Sequence, residues 1–227
     1  MNSRTELMLG KEKVSNYINK HIAIFGVGGV GGYVLEAIVR SGFLNVTIVD
    51  FDKIDESNLN RQIISSNENI GQIKVDVALQ RAKLINPNIN INAFNLFIDD
   101  NTINEIDFKQ FDYVVDAIDT VTSKLLIIQK CKEFNVLVIS SMGTGNKLDP
   151  SKLLITDITK TSVCPLAKII RKKCRDLNIK HLTVLTSTEE PIKTNTRNPG
   201  SMIFVPASAG LLIASYILRS FIDEKNS

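Results

Sequence analysis

A short apolar segment that runs directly into a glycine-rich loop constrains the fold of this chain more than any other feature. The segment His21-Ile22-Ala23-Ile24-Phe25 is β-prone, and Gly26-Val27-Gly28-Gly29-Val30-Gly31 follows it at once. Apolar residues then recur at three- and four-residue spacing over residues 30–41, which predicts a helix terminated by Gly42. The sequence therefore predicts a buried parallel strand, a tight glycine loop and a helix, in that order.

A glycine loop between a strand and a helix is a common binding site for nucleotide phosphates. Unpaired N–H groups and the helix dipole both favour an anion there, and glycine permits its close approach. A second β-prone segment, residues 46–49, ends at Asp50, about 20 residues beyond the loop, where a carboxylate typically accepts hydrogen bonds from a ribose. The context favours a nucleotide site over a glycine turn needed only for packing.

Strand and helix patterns alternate through the first 140 residues or so, which predicts an α/β fold with a doubly wound, mainly parallel, Rossmann-like sheet. Further strands are predicted at residues 90–94, 113–115 and 136–139, and further helices at residues 73–85 and 120–134. Later, strands at 152–156 and 182–186 and helices at 165–177 and 206–221 indicate a mixed C-terminal part.

The length of 227 residues suits one α/β domain. We expect a single domain over residues 1–227, with an N-terminal arm (1–20), a nucleotide-binding core (21–145) and a substrate-side C-terminal part (146–227). Hydrophobic residues make up 44% and charged residues 22%, a globular balance. The net charge of +3 is small, so any surface that attracts nucleic acid must be local.

The cysteines and apolar runs bear on the compartment. Cys131, Cys164 and Cys174 form no CxxC pair, which excludes a four-cysteine zinc site within the chain and fits a reducing compartment. The N-terminus has no apolar signal core, so we expect a cytoplasmic protein. The longest apolar run, residues 205–221, is broken by a proline and polar residues, which predicts a buried helix and no stable membrane insertion.

Three polar segments favour a triphosphate over the dinucleotide of a dehydrogenase. They are Asn58-Leu59-Asn60-Arg61-Gln62, Gly71-Gln72-Ile73-Lys74 and Asp116-Ala117-Ile118-Asp119. Arg61 can contact a phosphate through two N–H groups, and Lys74 can act as a point charge on the phosphates. Asp119, just beyond a strand end, can hold Mg²⁺ directly or through water. Taken singly, each is also compatible with a surface charge or, for Asp119, a helix cap; Asp116 is predicted to be structural.

Together these motifs resemble the ThiF/MoeB/HesA superfamily of adenylating enzymes, which are related to ubiquitin-activating enzymes. The matching elements are the GxGGxG loop, a D-x-D, an N-x-x-R-Q, a G-x-x-K and a D-x-x-D, in the family's order. The resemblance implies ATP and Mg²⁺ as cofactors and attack of a carboxylate on the α-phosphate. It implies nucleotide contacts by Gly26, Gly28, Gly29, Gly31, Asp50, Asp52, Asn58, Arg61, Lys74 and Asp119, with Mg²⁺ on Asp119.

The resemblance further implies a homodimer, in which an arginine of the N-terminal arm reaches the ATP of the neighbouring subunit. Arg4, in Ser3-Arg4-Thr5-Glu6, occupies the matching part of this chain. Arg4, Arg61, Lys74 and Asp119 thus form the expected catalytic set. Their positive charges and Mg²⁺ would offset the repulsion between a carboxylate and a polyanion and would stabilise the leaving pyrophosphate.

The second half of the chain bears on the carboxylate acceptor. Thr161-Ser162-Val163-Cys164-Pro165-Leu166-Ala167-Lys168 and Phe204-Val205-Pro206-Ala207-Ser208-Ala209-Gly210 resemble the tRNA threonylcarbamoyladenosine dehydratase branch of the superfamily. That branch implies adenylation of the threonine carboxylate of N6-threonylcarbamoyladenosine beside the tRNA anticodon, followed by cyclising dehydration. The alternative acceptor is the C-terminal Gly-Gly of a ubiquitin-like sulfur carrier, and a sulfur-relay or carrier protein stays open as a partner. A third class is an NAD-dependent oxidoreductase or a passive nucleotide-binding module.

A basic segment independently favours RNA as a partner. Seven Lys or Arg residues and one acidic residue, Asp176, lie within residues 160–181. Several of them fall on one predicted helix, as phosphate neutralisation requires, although a solvated helix face has the same pattern. Cys164 could be a thioester-forming cysteine, but intramolecular ring closure does not need one. Cys131, Cys174, His21 and His181 are not expected to be catalytic.

Overall fold

The computed structural model describes residues 3–196 and 199–223, which form a seven-stranded sheet flanked by helices. The strands are β1 His21–Phe25, β2 Asn45–Asp50, β3 Asn90–Asn95, β4 Tyr113–Asp116, β5 Leu137–Ser141, β6 Leu153–Asp157 and β7 Thr183–Ser187. The helices are α1 Ser3–Leu9, α2 Lys11–Tyr17, α3 Gly31–Arg40, α4 Lys74–Ile85, α5 Val121–Glu133, α6 Pro165–Asp176 and α7 Phe204–Ile222. The predicted doubly wound α/β class is confirmed.

The strand order β3-β2-β1-β4-β5-β7-β6 reverses direction at β1, which pairs in parallel with both β2 and β4. Phe25, the last residue of β1, is in register with Val49 of β2 and Asp116 of β4. The carboxyl ends of all three strands therefore meet at one edge. The chain turns to opposite faces after β1 and β4, and a crevice opens between their loops.

The C-terminal part extends this same sheet. β7 pairs in parallel with β5, with Ser140 opposite Val184, and β6 pairs antiparallel to β7, with Ile155 opposite Leu185. The mixed character predicted for this part is confirmed. Because β5 and β7 are hydrogen-bonded neighbours, the loops of the C-terminal part lie against the same crevice as the glycine loop.

The sheet separates two apolar cores, since successive side chains of a strand point to opposite faces. Ile22 and Ile24 of β1 face the core beneath α3, α4 and α7, and Ala23 and Phe25 face the core beneath α5 and α6. Phe25 stacks on Phe108 in the second core, with ring centroids 5.5 Å apart. β1 is therefore buried on both faces, as its continuous apolar sequence predicts.

Helix α7 contains the longest apolar run and packs against α3. A Cβ at Gly210 would lie 2.5 Å from the Val30 carbonyl oxygen, so only glycine allows this close approach of the two helices. The helix is long and apolar enough to span a membrane by length and composition alone. Its residues Val205, Ala209 and Ile213 are buried in the core, as predicted from the sequence.

The N-terminal arm consists of two short helices separated by Gly10, whose φ of 83° a residue with a side chain rarely adopts. α1 has no buried residue. α2 buries Val14 and Tyr17, and the Tyr17 hydroxyl donates a hydrogen bond to the Ser41 carbonyl oxygen at 2.9 Å. The second helix is thus anchored to the core, while the first presents most of its surface to solvent.

Candidate functional site

A cavity of about 380 Å³ opens at the carboxyl edge of the sheet. Its walls come from the loops after β1, β2, β3, β4 and β5, from the segment before α7 and from the first turns of α6 and α7. The predicted nucleotide residues in its lining are Gly26, Gly28, Gly29, Asp50, Asp52, Asn58, Arg61, Lys74 and Asp119. Residues scattered over roughly a hundred positions of sequence thus meet around one space.

The glycine loop presents free donors to this cavity. Gly28, Gly29 and Val30 line it, and within the described residues none of their N–H groups donates a hydrogen bond. Gly31 does not line the cavity. A Cβ there would lie 1.7 Å from the Gly26 carbonyl oxygen, so Gly31 permits the turn on which the loop is built. The loop can therefore accept a phosphate on its backbone.

Asp50 holds the glycine loop in place. One carboxylate oxygen accepts a hydrogen bond from the Val27 N–H at 2.8 Å, and the other accepts one from the Asp52 N–H at 2.9 Å. Burial raises the pKa of Asp50, while Lys74 and the two N–H groups oppose that shift. Each oxygen keeps a lone pair that a ribose hydroxyl can use, so the loop-binding role is compatible with the predicted ribose contact.

Lys74 is brought to the site as the first residue of α4. Its Nζ donates to Asp52 Oδ2 at 2.7 Å, and its side chain is 6% exposed, whereas that of Asp52 is 47% exposed. An isolated bridge between Lys53 and Ile73 ties the start of α4 to the loop after β2. Asp52 of the D-x-D motif and Lys74 of the G-x-x-K motif therefore form one ion pair at the cavity. Its cation is buried and its carboxylate is partly solvated.

Arg61 and Asn58 come from the long polar loop. The Arg61 guanidinium donates from one terminal nitrogen to the Ser57 carbonyl oxygen at 2.7 Å and to Asn60 Oδ1 at 3.0 Å, which leaves Nε and the other terminal nitrogen for a ligand. Asn58 is buried, and its Oδ1 accepts from the Asp55 N–H at 3.1 Å in a capping box. Gln62 is also buried beside the cavity, and its Oε1 has no partner among the described residues. The loop is therefore organised by its own side chains.

The two aspartates of the D-x-x-D motif have different surroundings and different roles. Asp119 is exposed at the cavity and makes no ion pair within the described part of the chain. Asp116 is fully buried and accepts hydrogen bonds from Lys124 Nζ at 2.8 Å and from the Ser140 hydroxyl at 2.5 Å. Burial raises the pKa of Asp116, and the ion pair with Lys124 opposes this. The structural role predicted for Asp116 matches these contacts.

Lys124 also donates to the Ile118 carbonyl oxygen at 2.9 Å, so it supports the turn that carries Asp119. Replacing Lys124 by methionine is expected to lower the free energy of unfolding by about 3 kcal/mol, because Asp116 would be left as an unpaired buried carboxylate. Urea denaturation at neutral pH measures this. The partly exposed pair of Lys130 and Glu133 is the control, and Lys130→Met should cost less than about 1 kcal/mol.

Several residues discussed from sequence lie away from the cavity. Arg4 is exposed on α1 and does not line the cavity of its own chain. His21 pairs with the Thr47 hydroxyl at 2.9 Å and His181 lies 3.5 Å from Asp157, although no partner was visible in the sequence. All three cysteines are free and buried, and burial raises the pKa of Cys131 and Cys174.

Sequence reasoning missed two parts of the site. Leu96, Phe97 and Ile98, after β3, supply an apolar wall, and residues 141–145, at the end of β5 and in the loop after it, close the opposite side. The buried Lys124 was also missed. Lys124 could not have been found, because a lysine eight residues after an aspartate is not a recognisable motif. Gly143 and Gly145, which closely follow a predicted parallel strand, could have indicated the wall after β5.

Three features lie together in this site: the crevice where the strand order reverses, the glycine loop with free N–H groups, and the charged side chains that converge on it. Together they match one protein family. The ThiF family profile matches residues 3–227, and the chain belongs to that family. The tRNA threonylcarbamoyladenosine dehydratase of Bacillus subtilis is 35% identical over 240 residues, covering 98% of this chain and 94% of the relative. That of Haemophilus influenzae is 39% identical over 155 residues, covering 68% of this chain and 59% of the relative.

Solved structures give the same result. The chain superimposes on Escherichia coli tRNA N6-threonylcarbamoyladenosine dehydratase in complex with AMP with a TM-score of 0.92 and 27% identity, over 97% of this chain and 93% of that one. The complex of the same protein with ATP matches with a TM-score of 0.91. The resemblance to the superfamily and to its dehydratase branch is thus confirmed.

Proposed function

We propose that this protein binds Mg²⁺–ATP and adenylates the threonine carboxylate of N6-threonylcarbamoyladenosine in tRNA, which then cyclises with net loss of water. One observation carries the proposal: Arg61, Lys74 and Asp119 converge on the free N–H groups of the glycine loop. A dinucleotide pyrophosphate would not need this many charges, whereas a triphosphate with a metal ion does. The relatives named as dehydratases support the same activity.

The residues fit Mg²⁺ held mainly through the nucleotide. Within the described residues no three His, Cys, Asp or Glu side chains form a metal cluster. Mg²⁺ commonly uses one or two carboxylates together with phosphate oxygens and water. Asp119 is the free carboxylate at the cavity, because Asp52 is paired with Lys74. When bound there, Mg²⁺ would neutralise charge on the phosphates.

The chemistry requires two steps. A carboxylate oxygen of the acceptor attacks the α-phosphorus, the bond to the pyrophosphate oxygen breaks, and Arg61 and Lys74 stabilise the negative charge that develops on the leaving group. The acyl adenylate carries a good leaving group, AMP. A nitrogen or oxygen atom of the carbamoyl group in the same side chain then attacks the activated carbonyl, that group releases a proton, and AMP departs. This second step is intramolecular, and the buried cysteines are not needed for it.

A basic stripe on α6 supports RNA as the partner. Lys168, Arg171, Lys172 and Arg175 follow the spacing i, i+3, i+4, i+7 and so share one face of the helix. Lys168, Lys172 and Arg175 are exposed and have no acidic partner within the described residues. The helix starts at the cavity, where Leu166 forms part of the wall. The stripe therefore leads outward from the site over about 10 Å, enough for two or three phosphates.

The triple variant Lys168→Ala/Lys172→Ala/Arg175→Ala is expected to weaken tRNA binding and to reduce the slope of log Kd against log salt concentration by about 2. Filter binding at several salt concentrations measures both. Lys13→Ala/Lys83→Ala/Lys109→Ala removes the same charge from exposed positions elsewhere and should leave the slope nearly unchanged. Equal slopes for the two triple variants would contradict a specific contact by the stripe.

We also propose a homodimer, in which Arg4 of one subunit approaches the ATP of the other. Leu7 and Met8 of α1 are 87% and 74% exposed, and Phe204 and Leu211 of α7 are 56% and 50% exposed. Helices α1 and α7 both pack against α2, and apolar side chains exposed on them favour a protein interface. The variants Arg4→Ala and Lys74→Ala are each expected to be inactive. Mixing them should restore ATP–pyrophosphate exchange, because a mixed dimer has one site with an intact Lys74 and an intact Arg4 from the other subunit. No recovery in mixed dimers would contradict this arrangement.

The test of the proposed function is ATP–pyrophosphate exchange with purified tRNA, followed by mass spectrometry of the tRNA nucleosides. We expect exchange that depends on threonylcarbamoyladenosine and a product lighter by one water. Exchange only with a Gly-Gly-tailed carrier protein would contradict the proposal and identify a carrier-activating enzyme. The three unpaired cysteines and the buried apolar face of α7 support action in the cytoplasm.

A further inference from the structure

The loop after β5 presents a second set of free backbone donors to the cavity. Gly143, Thr144 and Gly145 are consecutive and all line it. Within the part of the chain that the structure describes, none of their N–H groups donates a hydrogen bond. Three successive unpaired N–H groups in a concave wall form a site for an anion. β5 lies two strands from β1, so this wall is about 10 Å from the glycine loop.

A buried lysine orients this wall from behind. Lys147 is 3% exposed, does not line the cavity, and donates from Nζ to the Gly143 carbonyl oxygen at 3.0 Å. In a trans peptide the carbonyl and the following N–H point in opposite directions. Because Lys147 holds the Gly143 carbonyl on the side away from the cavity, the Thr144 N–H is directed toward the cavity.

The flanks of the loop are firmly held, so the free donors are not a sign of a loose segment. The Asn146 N–H donates to the Gly200 carbonyl oxygen at 2.7 Å, and Asn146 Oδ1 accepts from the Gly200 N–H at 2.6 Å. The Leu148 and Asp149 N–H groups donate to the Glu189 carboxylate. Every neighbouring N–H from 146 to 149 except that of Lys147 is thus satisfied, and the three free ones before them belong to residues that line the cavity.

No acidic side chain among the described lining residues belongs to the loop after β5. Burial lowers the pKa of Lys147, while Cys164 and Glu189 nearby oppose that shift. Both carboxylate oxygens of Glu189 accept hydrogen bonds from backbone N–H groups, and Glu189 makes no salt bridge to Lys147. The acidic side chains that line the cavity, Asp50, Asp52 and Asp119, lie at the end of β2 and on the loops after β2 and β4.

We propose that the N–H groups of Gly143, Thr144 and Gly145 bind the carboxylate of the acceptor, with Lys147 as the positioning residue that aims them. This inference rests on the proposed function, since it assigns the acceptor end of the same cavity. In this arrangement backbone N–H dipoles hold the carboxylate near the negatively charged triphosphate, while Arg61 and Lys74 bind the phosphates. The ligand class is a small carboxylate presented on an RNA base.

The experiment compares binding of two anticodon stem–loop RNAs, one with threonylcarbamoyladenosine and one with its methyl ester, in the presence of a non-hydrolysable ATP analogue. We expect the wild-type protein to bind the acid at least about tenfold more tightly, because the ester lacks the charge that the donors recognise. In Lys147→Met the ratio should fall below about threefold with the affinity for the ATP analogue unchanged. Lys147→Arg, which keeps a cation and a donor, should restore the ratio.

Two further variants keep the result interpretable. Lys152→Met changes an exposed lysine nearby and should retain the wild-type ratio. Thr144→Pro removes one of the three N–H groups directly and should also reduce the ratio, so the inference is still tested if Lys147→Met does not fold. A ratio that stays at the wild-type value in folded Lys147→Met and Thr144→Pro would overturn the inference. Wild-type protein that binds neither modified RNA better than the unmodified stem–loop would instead overturn the proposed function.

Discussion

Lys74→Ala is expected to reduce ATP–pyrophosphate exchange by roughly 10²–10³-fold, the loss typical when one preorganised donor to a transition-state charge is removed. Lys74 is buried and fixed by Asp52 at 2.7 Å, so its ammonium reaches the phosphates with little loss of side-chain entropy. The fold should survive, because Asp52 is about half exposed and water can solvate it once its partner is gone.

The control for this variant is Lys83→Ala, which removes an exposed lysine from the same helix, α4. It should keep wild-type exchange and the same thermal unfolding midpoint. Circular dichroism of Lys74→Ala checks that the variant is folded. Exchange at the wild-type rate in folded Lys74→Ala would show that the triphosphate does not contact this side chain, and the assignment of the phosphate end of the cavity would be wrong.

Asp119→Asn is expected to lower exchange by about 10²-fold at a fixed magnesium concentration and to raise the Mg²⁺ concentration needed for half-maximal exchange. The substitution keeps the size of the side chain and removes its charge, which a hard cation requires. Since Asp119 is exposed and has no ion pair within the described residues, stability should change by less than about 0.5 kcal/mol. A magnesium titration of exchange measures the effect.

Asp100→Asn provides the comparison, because Asp100 is exposed and does not line the cavity. It should shift neither the exchange rate nor the Mg²⁺ dependence. If Asp119→Asn and Asp100→Asn gave the same titration curve as the wild type, Mg²⁺ would have to be held by other groups. An equal fall in exchange at every Mg²⁺ concentration would indicate a role for Asp119 other than metal binding.

The sequence predicted the parallel half of the fold well because its signals are local. His21–Phe25 is a continuous apolar segment, and the glycines after it are required where Gly31 approaches Gly26. The ends of the helices were less accurate. The predicted helix at residues 206–221 begins two residues earlier, at Phe204, because Pro206 lies in the first turn, where its missing N–H costs no hydrogen bond within the helix.

The contacts of two buried lysines could not be predicted from the sequence, although their partners lie only eight and four residues away. Lys124 pairs with Asp116 only because α5 returns across β4, and Lys147 reaches Gly143 only because the loop after β5 folds back on itself. Neither lysine differs in local pattern from a surface lysine. Their burial, and hence their importance, depends on the packing of elements that are separate in sequence.

By itself the sequence determined the class of sheet and the glycine loop, and it predicted the charged groups of the nucleotide end, because these depend on local backbone geometry and on motifs with fixed spacing. Only the tertiary structure decided which charges face the cavity, which are neutralised in the core and where a second set of free N–H groups lies. The physical reason is that burial and hydrogen-bond satisfaction are properties of the whole packed chain, and they separate Asp119 from Asp116 although the two stand in one motif.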